Sequence, residues 1–393
     1  MRLLDWCFGG DYMNIVIAPD SFKGSLSAMD ICEIIESEIK LDHPQVNCIK
    51  LPLADGGDGT LDVLLHSTKG RKLTCSVSDP LGRTIEASYG EIDEQSVFIE
   101  MAQASGLPLL EVHERNPLQA STRGTGEMIV HAMESGYRNI YVGLGGSATN
   151  DGGVGMLEAL GIYLRSEQGE RLPALVTSLQ QAATIDDSKR HPLLDETTFF
   201  MVSDVDHILC GPQGASYIFG PQKGADAAMV EQLDRWLQSF GKLLTSKYRY
   251  EQLAQQAGTG AAGGLGATML AVLKAQRKKG IEFVLEALQA DNAFRDADLI
   301  ITGEGKLDQQ TLGGKVIAGV SERAQKYNKP VIALCGSIQL TMEELKQLGL
   351  LSAFSIVRQP CTLEDAVNHS EELLRWQIQQ IIRTFMHSNA MKG

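Results

Sequence analysis

Five glycine-rich segments gather side chains whose types and spacing could do chemistry. They are APDSFKGSLSA (Ala18–Ala28), LADGGDGT (Leu53–Thr60), GLGGSATNDGGVG (Gly143–Gly155), SDVDHILCGPQGA (Ser203–Ala215) and ITGEGKLDQQTLGGK (Ile301–Lys315). Each comes just after an apolar run that reads as a β-strand. Amides, hydroxyls, carboxylates and lysines collected where parallel strands end suit a phosphate and a divalent ion better than hydride transfer or protein docking. The chain reads as an enzyme.

In the first segment, Asp20 and Ser21 follow the strand at once, and Lys23 can reach a carboxylate or phosphate as a mobile cation. Asp20 could hold a substrate hydroxyl or a metal; alternatively it caps a turn and Lys23 is merely exposed. Asp55 and Asp58 lie three apart in a turn whose glycines expose successive amides, and offer hard oxygen ligands to Mg2+. The alternative is a strand-to-helix connection with Asp58 in the first helical turn. Gly145, Gly146, Ser147, Thr149 and Asn150 place short donors before a predicted helix and read as a site for an anion or a nucleotide, or else as a tight packing turn. Asp151 could face metal or backbone. This segment is neither a P-loop nor a complete dinucleotide fingerprint.

Asp204 and Asp206 alternate at the end of an apolar run, so period two would place both on one side as a Mg2+ or general-base pair. His207 beside them could be a base or a surface residue, and Lys223 is a candidate phosphate contact. Glu304, Lys306, Asp308, Thr311 and Lys315 crowd opposite charges into a glycine loop beyond another buried strand, which suits substrate orientation and phosphoryl stabilisation. A salt-bridged surface loop is the alternative. Thr122–Glu127 could face substrate, and helix capping explains it equally well.

These loops need elements to hold them. Asn14–Asp20 predicts a strand, Leu26–Ile39 a helix capped by Ser25 or Ser27, Gln45–Asp55 a strand and Thr60–Ser67 a helix. That β-loop-α repetition predicts an α/β fold with a Rossmann-like, doubly wound parallel sheet. From Lys72 onward KLTCSVSD, TIEASYG and SVFIEMAQ alternate like strands of an antiparallel or mixed sheet. Further strands are expected at NIYVGLG and Thr197–Asp204, helices at Gly124–Ser135, Gly153–Leu160 and Ala225–Phe240, and a glycine-rich turn at Thr259–Gly266. Strands at Ala297–Gly305, Lys329–Ile338 and Ala353–Gln359, then a closing helix at Glu364–Met386, return to the first pattern. The expected domains are residues 13–79 with 286–393, a mixed α/β domain inserted at 80–285, and an accessory tail at 1–12. A ligand cleft between the two domains is the default expectation.

At 393 residues with a formal charge of −14, the chain has core enough for two domains and no basic face for nucleic acid. The net field repels anionic substrates, so phosphate or carboxylate must be held by local lysines, amides and metal. The seven cysteines have no CxxC spacing and an odd count, which favours reduced thiols in a cytoplasmic protein. No apolar run of about 18 residues is present, so no membrane span is expected, and a monomer or homodimer fits the rest.

Together the five segments, with FGPQKGA (Phe219–Ala225), resemble the bacterial glycerate kinases of the type that phosphorylates the 2-hydroxyl. The likeness extends over nearly the whole chain after Met13. It implies ATP and Mg2+ as cofactors, D-glycerate as substrate, and a Rossmann-like domain with a second domain inserted. In this chain it implies that Lys23, with Asp20, Ser21, Glu304, Asp308 and Thr311, handles glycerate. Gly145, Gly146, Ser147, Thr149, Asn150, Lys223, Lys306 and Lys315 would handle ATP, and Asp55, Asp58 and Asp204 the metal. Asp204 is the expected base, with Asp206, Asp55 and Asp58 its rivals, and domain closure would exclude water. Family members often carry Asn-Pro after the DVD triplet; here His207-Ile208 stands there. A transfer to the 3-hydroxyl, a related hydroxy acid, or a non-catalytic acid-binding protein are the alternatives.

Overall fold

The computed structural model describes residues 13–57, 59–312 and 314–390, so the expected tail at 1–12 and the candidate ligand Asp58 lie outside the described residues. In chain order the strands are β1 (Asn14–Pro19), β2 (Asn47–Lys50), β3 (Lys72–Ser78), β4 (Thr84–Asp93), β5 (Ser96–Glu100), β6 (Asn139–Gly143) and β7 (Tyr163–Arg165). They continue with β8 (Thr184–Asp186), β9 (Thr198–Val202), β10 (Gln276–Lys278), β11 (Leu299–Leu307), β12 (Val331–Ile338) and β13 (Ser352–Ser355). The chain divides into two units, Met1–Asp55 with Val284–Gly393, and Gly56–Phe283.

The first unit is the doubly wound α/β fold that its periodicity predicts. Its five strands run in the order β13-β12-β11-β1-β2, and every pairing is parallel. Period two sorts the strand side chains: Ile15, Ile17, Leu299, Ile301, Ile332 and Leu334 share one core with Ile31, Ile35 and Ile39 of the helix Ala28–Asp42 and Leu374 and Ile378 of the helix Ser370–Ala390. The alternate residues Val16, Ile300 and Ala333 are equally buried, and the helices Ala290–Asp296 and Val316–Gln325 pack on β1. Ser27, one of the two expected caps, starts the first helix with a capping box to Asp30. The expected closing helix is two, Leu363–Asn368 and Ser370–Ala390, broken at His369.

The second unit is built on a mixed six-stranded sheet, β10-β9-β6-β5-β4-β3, parallel from β10 to β5 and antiparallel from β5 to β3. Its core joins Val97, Ile99, Ile140, Val142, Phe199 and Met201 to Met128 and Ile129 of the helix Arg123–Glu134 and Leu233, Leu237 and Phe240 of the helix Ala227–Tyr248. Residues 56–79 go with this unit, not with the first domain as expected. β3 pairs along its whole length with β4, and the helix Thr60–Thr68 packs on β4 and β5. The expected turn at Thr259–Gly266 contains the start of a buried helix, Leu265–Val272. The polar stretch near Arg165–Arg190 forms the small β7-β8 hairpin. Among the described residues no helix is long and apolar enough to cross a membrane. Cys32, Cys48, Cys75, Cys210, Cys335 and Cys361 are free thiols.

Candidate active site

In the first unit, carboxylates gather where the sheet reverses its order. The chain lays β2 on one side of β1 and later adds β11, β12 and β13 on the other, and ligands of such sheets bind beyond the strand ends at that switch point. β1 and β11 stay in register as far as Pro19 opposite Gly303, and the Asp20 amide donates to the Gly303 carbonyl at 2.8 Å. Asp20 and Glu304 therefore come immediately after the last pair between β1 and β11. The backbone of Lys23 lies against the same strand, since a Cβ on Gly305 would stand 3.5 Å from the Lys23 amide nitrogen.

These acids are strongly perturbed. Burial, and then the charge of Asp55, pushes the Asp20 carboxyl up to about 6, opposed by the Ser21 amide, which donates to it at 2.7 Å, and by Lys23. Glu304 is 6 % exposed. Burial pushes it up to about 7, with Asp20 and Asp308 adding to the rise while the Thr311 hydroxyl and Lys315 oppose it. Thr311 Oγ1 donates to Glu304 Oε1, and Lys306 pairs with Asp308 at 3.0 Å.

Lys306 is not in a loop beyond the strand, as its glycine-rich surroundings predict; Glu304 falls within the expected strand Ala297–Gly305, which the fold extends through Leu307. Both belong to β11, because β12 goes on pairing beside them, with Cys335 opposite Glu304 and Ser337 opposite Lys306. The sheet itself holds the Glu304 backbone. Lys315 is the N-cap of the helix Val316–Gln325. The first unit thus brings together Asp20, Ser21, Lys23, Asp55, Glu304, Asp308, Thr311 and Lys315.

In the second unit the segment after β6 is held from several directions. Leu107 donates its amide to the Gly146 carbonyl at 2.8 Å, and Ala148 donates to the Ser105 carbonyl at 2.9 Å. Lys223, expected to touch a phosphate, is only 2 % exposed. Its Nζ donates to Ser147 Oγ at 2.8 Å and to the Thr149 carbonyl at 2.6 Å, so the ammonium is engaged by the loop itself. Burial pushes it down to about 7, against the pull of Asp151. Asp151 faces backbone: it accepts from the Thr122 amide and hydroxyl and from the amides of Gly153 and Gly155, at 2.8–3.2 Å. Thr122 is thereby explained structurally. Asn150 Nδ2 donates to Ser216 Oγ at 3.0 Å. Thr149 Oγ1 and Asn150 Oδ1, both in fully buried side chains, have no hydrogen-bond partner among the described residues.

Asp204 and Asp206 do not form the expected one-sided pair. β9 stops at Val202, where its pairing with β10 ends, so strand alternation does not extend to them. Asp204 Oδ1 accepts from the Gly280 amide at 2.9 Å, whereas Asp206 is exposed and paired with Arg277. His207 hydrogen-bonds the Gln213 carbonyl at 3.1 Å through Nδ1. Sequence reasoning missed Gly280 and Ser216 as partners of site residues. No local motif announces either, because their roles arise from contacts between distant segments.

Among the described residues, no three His, Cys, Asp or Glu side chains form a group able to hold a metal unaided. Mg2+ usually keeps several waters and needs only one or two carboxylates beside substrate phosphates. The Asp20 and Asp55 oxygens, close enough for one charge to raise the other acid, fit that chemistry.

Comparison with known proteins agrees with these features. The model of the Glycerate kinase family matches residues 15–386. The chain is 44 % identical over 367 residues to a glycerate kinase of Bacillus subtilis (strain 168), covering 92 % of this chain and 95 % of that one. It is 42 % identical over 355 residues to a glycerate 2-kinase of Escherichia coli (strain K12), covering 90 % and 93 %. A crystal structure from Salmonella typhimurium LT2, described as a glycerate kinase 2, superposes with a TM-score of 0.85 at 42 % identity, covering 96 % of this chain and all of that one. The chain belongs to the glycerate kinase family.

Proposed function

We propose that the protein is an ATP-dependent glycerate 2-kinase, transferring the γ-phosphate of ATP to the 2-hydroxyl of D-glycerate to give 2-phospho-D-glycerate and ADP. The observation that carries this reading is the pair Asp20 and Glu304, two acids brought near neutrality at the switch point of a parallel sheet. Such groups suit a hydroxyl-bearing acceptor. The choice of the 2-hydroxyl leans on the E. coli relative of that name.

In this reading Lys23 holds the glycerate carboxylate, while Asp20, Ser21, Asp308 and Thr311-bound Glu304 orient its hydroxyls. Asp204 takes the proton of the reacting hydroxyl. In the second unit the amides and hydroxyls of Gly145–Asn150 receive phosphate oxygens, and Lys223 keeps that loop in shape; in the first unit Lys306 and Lys315 are the cations available to a phosphate. Mg2+, held by Asp55 with Asp20, would offset phosphate charge when bound. Replacing Asp204 by Asn is expected to lower kcat by roughly 10²–10⁴-fold with ATP binding kept. A second reading makes Glu304 the base, because its carboxyl is brought to about 7. Near-normal turnover in the Asp204 variant, with a lost alkaline rise in Glu304→Gln, would favour it.

The test is direct: incubate the protein with ATP, Mg2+ and D-glycerate, follow ADP, and identify the product by phosphorus NMR. A 3-phosphoglycerate signal moves the transfer to the other hydroxyl. An absence of ADP sinks the kinase reading. The protein is proposed to be cytoplasmic, acting as a monomer or homodimer.

A further inference from the structure

Arg115 in the second unit is a half-buried residue whose side chain makes no hydrogen bond or ion pair among the described residues. It follows the short turn Val112–Glu114. Its Nε–H is shielded from solvent and bonded to none of them. The adjacent carboxylate is already engaged: Glu114 accepts from Arg83 at 2.7 Å and from the Glu111 amide at 3.1 Å. Arg83 pairs with Asp79, Arg123 with Glu127 and Glu158, and Arg165 with Asp186; Arg277 pairs with Asp206 through Nη2, although its Nε, like that of Arg115, is buried without a partner among the described residues. A guanidinium loses hydration at a cost unless an acceptor replaces it, and its planar fork of donors matches a carboxylate or phosphate.

Its position gives that fork a use. The turn carrying Lys223 passes so close that a Cβ on Gly224 would stand 2.1 Å from the Arg115 carbonyl oxygen and 3.3 Å from its Cβ. Lys223 in turn bonds Ser147 and Thr149. The main chain of Arg115 therefore lies one turn away from the Gly145–Asn150 loop, where the Thr149 hydroxyl is also buried and unsatisfied among the described residues. With a formal charge of −14 on the chain, an anion at this loop has to be met by local cations, and the Lys223 ammonium is already bonded within the protein.

We infer that Arg115 contacts substrate, binding an oxyanion beside the glycine loop. This rests on the reading that the loop serves the phosphoryl-transfer substrates. The oxyanion is either a phosphate of ATP or the carboxylate of glycerate, and one experiment separates them. Arg115→Gln and Arg115→Lys are made in the full chain, and binding is measured with the Mg2+ complex of a nonhydrolysable ATP analogue, with D-glycerate, and with adenosine.

The expected result is an unchanged Tm, unchanged adenosine affinity, and affinity for one anionic ligand weakened by about 10–100-fold in the Gln variant. Partial recovery is expected with Lys, which restores charge without the fork. Loss confined to the ATP analogue assigns the phosphate, and loss confined to glycerate assigns the carboxylate. Affinities for both ligands within about twofold of the wild-type protein overturn the inference and leave the kinase reading standing. A fall in Tm with unchanged affinities also overturns it, since the arginine would then be structural. If the wild-type protein binds neither ligand, the kinase reading falls and takes this inference with it.

Discussion

Glu304 meets opposite demands from its neighbours. The strand β11 and the Thr311 hydroxyl hold it in place, while burial and the nearby acids disfavour its charge. Its ordinary value is 4.5 and its folded value about 7, so between those pH values the native chain holds a proton that the unfolded chain has released. The linked stability is therefore full below about pH 4.5 and is lost as pH rises through about 7. Glu304→Gln keeps an acceptor for Thr311 and cannot ionise. Relative to the parent, it is expected to gain up to about 3 kcal/mol at about pH 8 over its difference at about pH 4. Urea unfolding at the two pH values checks this, and an equal difference at both would show that the carboxyl is not raised.

At the scale of the element, the loop from Gly145 to Asp151 is built from the inside. Lys223, Asp151 and the turn at Gly263 each hold part of it through hydrogen bonds or backbone contact. Lys223→Met fills a similar volume but strands the Thr149 carbonyl and the Ser147 hydroxyl. We expect the KM for ATP to rise at least about tenfold with the KM for glycerate little changed, and amide exchange in residues 144–151 to accelerate. Unchanged exchange would mean the ammonium is dispensable to the loop. Gly263 has φ +64°, and a Cβ there would stand 2.1 Å from the Thr149 carbonyl oxygen. Gly263→Ala combines a left-handed backbone with a backbone clash, and should cost more than about 2 kcal/mol by urea unfolding. A loss below about 0.5 kcal/mol would show that the turn can shift.

At the scale of the whole molecule, the two units each bury a core of their own. One lies around Ile15, Ile301, Leu374 and Ile378, the other around Ile99, Val142 and Phe240. Separate cores favour separate cooperative units. Calorimetry is expected to give a van't Hoff enthalpy below the calorimetric one, and equal values would show a single cooperative unit.

Strand and helix periodicity, the Ser27 cap and the placement of Asp20 after β1 all follow from local chain preferences, so the parallel sheet of the first unit is legible in the sequence. The chemical types of the candidate residues are legible for the same reason. The length of strand pairing is not. β11 runs on through Lys306 and β9 stops at Val202 because their partners do, which puts Lys306 in the sheet and Asp204 and Asp206 off it.

By itself, the order of residues determined the kind of fold and the inventory of donors, acids and cations, since propensity and periodicity act over neighbours along the chain. Only the tertiary structure decided which of those groups are buried, paired or left without a partner. The protonation of Glu304, the internal engagement of Lys223 and the unmatched guanidinium of Arg115 all depend on desolvation and on contacts between segments far apart in the chain.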